Sequence, residues 1–419
     1  MSFNQYTWDL YKQTTIGIEM IKYFSDAGGY VLFKDYCPYA NFIPEDLYND
    51  WLENIYCYGV SDYDHPSSLE EAKDLYISLI TLGIRVEGQQ WLPANDFKNM
   101  LGIIQPMSYV LSQFAPEYFF PYLFLCRIFE LNKIADFFNI DLPNIPKRTD
   151  YKGRCMYYWE LCEVFYLFRK ENGLSPADLW SFLYDFAPNN LPSEKIDMPK
   201  PSQVWFIGGR LYQEDKSLES KFWQSSPETK KGDILVHYET SPISAITCIE
   251  ISLTDGVIDP LFRYYGCIYI GNRINIPHIT LKELQTDEYF FKHPLVRKNF
   301  QGVNGWSVNS ENYSELLRMI KTKGFDIEVL PKLYAPTLPK DVIIEYEHDV
   351  EQQLLEPLLN SMGWYENKDF IRQLPIQAGR GHRIFPDYAL HYGNKPNEER
   401  AKGLASINTF ALSSFGLLP

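Results

Sequence analysis

The sequence predicts a multidomain α+β protein with a helical N-terminal domain, a central β-barrel and a truncated α/β segment at the C-terminus. A chain of 419 residues is longer than one ordinary hydrophobic core supports. The spacing of apolar residues also changes along the chain, from helical periodicity to short β-rich runs and then to a helix followed by strands. We therefore expect domains over residues 1–195, 201–324 and 340–419.

Helical periodicity dominates the N-terminal domain. In CMYYWELCEVFYLFRK, apolar residues such as Leu161 and Phe165 recur at intervals of three and four. A second helix is expected to begin after Ser175 as N-cap, with Asp178 three positions later. The run YFFPYLFLCRIFELNKIADFF indicates another buried helix, and we interpret its many aromatic residues as core.

Cysteine usage and the N-terminus predict the compartment. The seven cysteines form no CxxC pair and have no histidine at metal-ligand spacing, which argues against a disulfide framework and against structural zinc. The first residues lack a basic and apolar leader, and no apolar run is long enough to span a bilayer. We expect a soluble cytoplasmic protein without a membrane partner.

Net charge differs between the regions. The total is −15, but residues 1–199 hold 15 basic against 27 acidic side chains, whereas residues 200–325 hold 15 against 14. A nearly neutral central domain can hold phosphates through a local basic patch, while acidic neighbours weaken non-specific binding. The composition therefore permits nucleic-acid binding by the central domain.

The central domain carries short β-rich runs, VWFIGGRLY, DILVHYE, AITCIEISL and GCIYIGNRI, each bounded by turn residues. Three stretches, VWFIGGRLY, WQSSPETKKGDILVHYETSPISAI and HPLVRKNFQGVNG, resemble in this order the EVE family, which has a PUA-like fold. The resemblance implies a β-barrel that reads a modified base.

A base-reading pocket needs stacking faces, fixed polar groups and cations for the flanking phosphates, because the base must leave the stack. The candidate stacking residues are Trp205, Trp223, Tyr238 and Phe300; for Trp205 and Phe300 the alternative is a place in the hydrophobic core. The candidate polar groups are Thr240, Ser241, Asn299 and Gln301, with Pro242 fixing the loop. The candidate phosphate-binding residues are Lys230, Lys231, Arg297 and Lys298.

The C-terminal segment places Glu347 on a predicted helix, Gln373 on a predicted strand and Asp387 in a Pro-Asp strand, in this order. With these residues the segment resembles the beginning of the PD-(D/E)XK nuclease core of type I restriction motor subunits. The resemblance implies catalytic roles for these three, with Asp387 as a Mg²⁺ ligand. The Glu-x-Lys strand that should follow is missing, so we expect no competent nuclease here. Degeneration, a frameshift or truncation, and an artificial end point are the explanations, and truncation is favoured.

These features predict a protein of modification-dependent restriction or defence in prokaryotes, with DNA carrying a modified base as its partner. Binding would need no cofactor, and Mg²⁺ would be needed only by an active nuclease segment. A homo-oligomer or other defence subunits are further expected partners. The alternatives are a non-catalytic RNA-binding or regulatory module, and a protein whose helical domain carries partner binding.

Overall fold

The computed structural model describes most of the chain. The residues outside its description are 1–2, 38–39, 41–42, 87–88, 193–197, 211–219, 335–346, 362–363, 368, 375, 378–382, 385–387 and 391–419. Helices and strands are both abundant, so the predicted mixed α and β character is confirmed. Among the described helices, none is long and apolar enough to cross a membrane.

The chain divides into two compact units that do not follow sequence order. The first contains residues 1–196, 213–227 and 255–271, and the second contains residues 197–212, 228–254 and 272–419. The division after residue 196 falls in the predicted linker, but two later segments group with the helical region. The predicted organisation in three domains stays a prediction.

The first unit is built mainly from helices. They are α1 (Gln5–Gln13), α2 (Thr15–Asp26), α3 (Gly29–Tyr36), α4 (Glu45–Cys57), α5 (Leu69–Leu82), α6 (Phe97–Met100), α7 (Ile104–Phe114), α8 (Ile128–Phe138), α9 (Tyr151–Glu171), α10 (Pro176–Ser181) and α11 (Ala187–Asn190). Strands β1 (Ile84–Val86) and β2 (Gln89–Leu92) pair antiparallel between α5 and α6. One π-helical turn, Phe182–Phe186, separates α10 from α11.

The hairpin of α9 and α10 confirms the sequence prediction. Leu161 and Phe165 of α9 are buried. The Ser175 hydroxyl accepts a hydrogen bond from the Asp178 backbone N–H, and the Asp178 carboxylate accepts one from the Ser175 N–H. This capping box satisfies two backbone donors at the start of α10.

The run predicted as one buried helix is helical only in its second half. Residues 119–125 have no regular secondary structure, and α8 begins at Ile128. Pro121 has no N–H for a helical hydrogen bond. Side chains bind the backbone instead: the Tyr122 N–H donates to Ser108 Oγ at 2.8 Å, and the Tyr184 hydroxyl donates to the Pro121 carbonyl at 2.5 Å. Burial was therefore predicted correctly for residues 119–124, and the helix was predicted correctly only from Ile128 onward.

A buried arginine fastens residues 255–271 to the helices of the first unit. Only 1% of the Arg154 side chain is exposed. Its guanidinium donates to the carbonyl oxygens of Pro260 at 2.8 Å, Phe262 at 2.7 Å and Arg148 at 3.0 Å. The cation also lies 5.2 Å from the centre of the Tyr265 ring. The carbonyls thus satisfy a buried charge that has been removed from water.

The Asp259 carboxylate makes a second attachment in the same segment. It accepts hydrogen bonds from the backbone N–H groups of Cys126, Leu261 and Phe262 at 3.0, 2.9 and 3.2 Å. Burial raises its pKa to about 6, against these hydrogen bonds and the charge of Arg154, which lower it. Leu261 joins the same hydrophobic core as the helices.

Strands β3 (Val204–Gly209), β4 (Ser220–Gln224), β5 (Ile234–Glu239), β6 (Ala245–Ser252), β7 (Val257–Ile258), β8 (Gly266–Thr280) and β9 (Trp306–Val308) follow in chain order. In the first unit, β4 and β7 each pair antiparallel with the first part of β8. In the second unit the strand order is β8-β6-β5-β3-β9, a curled half-barrel. There β3 pairs parallel with β5, whereas β5–β6 and β3–β9 are antiparallel.

Helices α12 (Leu281–Thr286), α13 (Pro294–Arg297) and α14 (Ser310–Thr322) belong to the second unit. One face of the sheet, including Phe206, Val236 and Ile246, shares a core with Leu316 and Ile320 of α14. The residues IPHIT, 276–280, form the last part of β8. Thr280 ends that strand and caps α12, which starts at the following residue.

The described part of the C-terminal segment confirms a helix followed by strands. Helices α15 (Glu347–Val350) and α16 (Glu356–Ser361) are joined by a π-helical turn, Glu351–Leu355. Strands β10 (Phe370–Arg372) and β13 (Tyr388–Leu390) pair antiparallel, as do β11 (Ile376–Gln377) and β12 (Arg383–Ile384).

We expect Arg154→Met to lower the free energy of unfolding by about 3 kcal/mol, because buried carbonyl oxygens lose their donor. Chemical denaturation followed by circular dichroism would measure the loss. Arg263→Met, which changes an exposed arginine in the same unit, is the matched control and should cost little. Equal stability of the two variants would contradict the role assigned to Arg154.

Candidate nucleic-acid interface

Two glycines end β3 where the parallel strand β5 also ends. Gly208 lies opposite Tyr238 in the register. The Gly208 N–H donates to Asn304 Oδ1 at 2.8 Å, and its carbonyl accepts from Asn304 Nδ2 at 3.0 Å. A Cβ atom on Gly208 would lie 2.5 Å from Val303 Cγ1. Only glycine therefore allows residues 303–304 to approach the strand so closely.

The rings of Tyr238 and Phe300 stack at this end of the sheet. Their centroids are 4.0 Å apart, and the ring planes differ by 2°. Both side chains are buried, with 3% and 4% exposed. Asn299 and Phe300 have φ of 50° and 59°, a left-handed turn that directs the Phe300 ring onto β5. The stack joins the turn after α13 to the end of β5.

An exposed loop follows β5. The Thr240 N–H donates to the Gly209 carbonyl at 3.1 Å, and the Ser244 carbonyl accepts from the Leu281 N–H at 2.9 Å. Between these anchors, Ser241 and the next two residues are exposed, and the Ser241-Pro242 peptide bond is cis. Thr240 is half-buried. The loop therefore presents hydroxyl groups beside the stacked rings.

The turn after α13 also presents two cations. Arg297 and Lys298 are exposed, and among the described residues neither forms an ion pair. Asn299 and Gln301 are exposed as well, and Asn299 Oδ1 accepts a hydrogen bond from Gln285 Nε2 at 3.0 Å. Phe300 lies between Asn299 and Gln301 in sequence, so its stack on Tyr238 anchors the turn that carries all four side chains.

Trp205 and Lys230, two other predicted contacts, have internal partners. Only 6% of Trp205 is exposed, and its indole N–H donates to Asp233 Oδ2 at 2.8 Å. Its ring is thus too buried to serve as an open stacking face. The Lys230 ammonium forms an ion pair with Asp369 at 2.5 Å and lies over the Trp364 ring. Lys231 is half-buried.

Trp223 lies in a different unit from the other predicted base contacts. It is half-buried in β4, opposite Ile268. That strand belongs to the first unit, whereas Tyr238, Thr240 and Ser241 belong to the second. The role of Trp223 in stacking stays a prediction.

Of the predicted nuclease residues, the structure describes the side chain of Gln373 alone. Asp387, and with it the predicted Mg²⁺ ligand, lies outside the described residues, as does the side chain of Glu347. Gln373 is exposed immediately after β10, with φ of +50°.

The Asp233 carboxylate fixes the opposite end of β3 and β5. Oδ1 accepts hydrogen bonds from the Ser202 hydroxyl and the Gln203 N–H, each at 3.1 Å. Oδ2 accepts from the Trp205 indole and from the Lys230 N–H at 2.8 Å. Burial raises the pKa of Asp233 to about 6, although these hydrogen bonds act to lower it.

Sequence reasoning missed Asn304 and the pairing of Tyr238 with Phe300. Asn304 lies in the stretch HPLVRKNFQGVNG, and its position between glycines was the available signal for a side chain that binds backbone. The stack joins residues 62 positions apart (238 and 300), so no local pattern could indicate it.

Comparison with known proteins adds little. No family profile matches the chain, and no protein with a curated description matches it. The NMR structure of Rpa0253 from Rhodopseudomonas palustris is 13% identical, covers 29% of this chain and 94% of its own, and has a TM-score of 0.26. A hypothetical protein from Leishmania major is 11% identical, with coverages of 30% and 98% and a TM-score of 0.24. Scores this low support no conclusion about fold or function.

The raised pKa of Asp233 predicts a pH-dependent stability. An unfolded aspartate titrates near about 4. The folded state therefore binds the proton more tightly, and this stabilisation is lost as pH rises from about 4 to about 6. Between about pH 4 and pH 6, we expect the free energy of unfolding of the wild type to fall as pH rises. The slope should be steeper than that of Asp233→Asn by about 1.4 kcal/mol per pH unit.

Urea denaturation at several pH values would measure both slopes. Asp326→Asn, which alters an exposed carboxylate of the same unit, should keep the wild-type slope. If Asp233→Asn kept that slope too, the Asp233 carboxyl would be ionised throughout this range.

Proposed function

We propose that the second unit binds nucleic acid and reads a modified base at the surface formed by loop 240–243 and turn 297–301. The observation that carries the proposal is the stack of Tyr238 on Phe300. The stack connects turn 297–301 to β5, the strand that leads into the exposed loop with its hydroxyl groups. The turn carries two cations that have no ion-pair partner among the described residues. Cations that hold phosphates next to polar groups that contact a base are the two parts such a reader needs.

The roles of the side chains follow from their chemistry. Arg297 and Lys298 would neutralise phosphates and position the strand without reading sequence. Thr240, Ser241, Asn299 and Gln301 would supply donors and acceptors for the edge of a flipped base. Tyr238 and Phe300 are too buried to stack broadly on a base, so we assign them the support of the site.

The wider setting is part of the same proposal. The sequence stretches quoted above favour a PUA-like reader of the EVE kind in a cytoplasmic defence system that recognises modified DNA. Binding by this surface requires no cofactor. An RNA-binding module would use the same surface, so the choice between DNA and RNA is an outcome of the binding test.

We expect the double variant Arg297→Gln/Lys298→Gln to weaken nucleic-acid binding and to lower its salt dependence. Each phosphate contact contributes about 0.9 to the slope of log K against log salt on duplex DNA, so the slope should shrink by about 1.8. Fluorescence anisotropy at several salt concentrations measures it.

The matched control is Lys282→Gln/Lys321→Gln, which removes the same charge from exposed positions of the same unit. This control should keep most of the salt dependence. Equal losses in both double variants would place the phosphate contacts elsewhere.

We expect Ser241→Ala to reduce the preference for modified over unmodified oligonucleotides by about 10-fold, the effect of one lost hydrogen bond of about 1.4 kcal/mol. A panel of duplex DNA and single-stranded RNA, each with and without modified cytosine or adenine, would measure the preference. Ser307→Ala, which removes an exposed hydroxyl from β9, is the control. A loss that is equal on modified and unmodified strands would show that Ser241 does not read the modification.

A further inference from the structure

The face of the sheet opposite the apolar core carries a cluster of buried polar side chains. His237 of β5 lies directly opposite Cys248 of β6, and both have 0% of their surface exposed. Glu250 follows two positions after Cys248, so its side chain lies on the same face. Arg273 of β8 completes the cluster.

The distances within this cluster suit a metal ion. One ligand atom from each of His237, Cys248 and Glu250 lies within 4.8 Å of the other two. His237 Nδ1 and Glu250 Oε2 are 3.1 Å apart. In a tetrahedral zinc site, bonds of about 2.0–2.3 Å place the donor atoms about 3.3–3.8 Å apart. Shifts of a few tenths of an ångström would therefore bring the pair to coordinating distance.

Charge in the cluster is compatible with a divalent ion. The Arg273 guanidinium donates to Oε1 of Glu250 at 2.7 Å, which leaves Oε2 facing the other two residues. Burial acts to raise the pKa of Glu250, but the hydrogen bond from His237 and the charge of Arg273 hold it below its usual range. A carboxylate and a thiolate together would balance two positive charges, and Arg273 would orient the carboxylate from behind.

We infer that His237, Cys248 and Glu250 form a binding site for a divalent transition-metal ion, with zinc the best match. Imidazole nitrogen, thiolate sulfur and carboxylate oxygen together suit zinc, whereas Mg²⁺ and Ca²⁺ prefer oxygen ligands alone. The site would tie β5 to β6, the strands on either side of loop 240–243. This inference is independent of nucleic-acid binding by that loop.

A metal-free cluster is the competing account. Burial raises the pKa of Cys248 to about 12, so without a metal the thiol keeps its proton and Glu250 stays paired with His237 and Arg273. Metal binding would release the thiol proton and convert the contact between His237 and Glu250 into two bonds to the ion. The two accounts therefore differ in whether Cys248 is a thiolate.

The test uses the full chain, expressed with added cobalt or zinc because a buried site is filled most readily during folding. Protein expressed with cobalt should contain about one cobalt ion per chain and show a thiolate-to-cobalt charge-transfer band in the near ultraviolet. Cys248→Ser should lose the band, and Glu250→Gln should reduce the affinity for zinc at least about 10-fold. Cys57→Ser, which changes an exposed cysteine, controls for adventitious thiol binding and should keep the band.

Absence of the band from folded wild-type protein, or a band retained by folded Cys248→Ser, would overturn the inference. Circular dichroism establishes folding for each protein. Because the wild-type spectrum alone can overturn the proposal, the test does not depend on the variants being stable.

Discussion

The Asp233 carboxylate, which lies where β3 and β5 begin, determines which residues lie opposite each other where these strands end. It binds the residues that lead into β3 and the backbone that leads into β5, and it also holds the Trp205 indole. Because β3 and β5 run parallel, a register fixed at their beginnings is carried along both strands. Gly208 is thereby placed opposite Tyr238, and the closely packed turn with Asn304 can form. A slip that brought Ile207 to the position of Gly208 would put a side chain where only glycine fits.

The two faces of this sheet carry different kinds of side chain. One is apolar and packs on α14, as the alternation of residues in β3 and β5 requires. The other carries His237, Cys248 and Glu250 although these are buried too. Polar groups in such a position cost free energy unless they are satisfied, and the Glu250 carboxylate pairs with His237 through one oxygen and with Arg273 through the other. This arrangement specifies strand neighbours more sharply than apolar contacts do, because each donor has one suitable acceptor.

Local patterns in the sequence predicted many of the helices and strands. The remaining features depend on contacts between residues that are far apart in the sequence. Ser175 and Asp178 act within one turn of helix, so their spacing was sufficient to predict the start of α10. The residues around Pro121 were predicted to be helical because apolar character does not reveal that hydroxyls from distant helices bind the backbone. Trp205 was predicted to be a stacking face because the local sequence gives no sign of its hydrogen-bond partner, Asp233, which is 28 positions away. The histidine and cysteine of the polar cluster were not singled out, since their proximity arises from strand pairing and not from spacing.

The division of the chain into units has a consequence for its synthesis. Two of the carbonyl groups that bind Arg154, those of Pro260 and Phe262, belong to residues 255–271, as does the carboxylate that binds the Cys126 backbone. The helices therefore emerge from the ribosome before the residues that complete their own core. At about 5–20 residues per second, the 75 residues from 197 to 271 take about 4–15 s to add. During that interval Arg154 has the carbonyl of Arg148 in the helical segment but not those of Pro260 and Phe262, so its burial is completed only when residues 255–271 have been added.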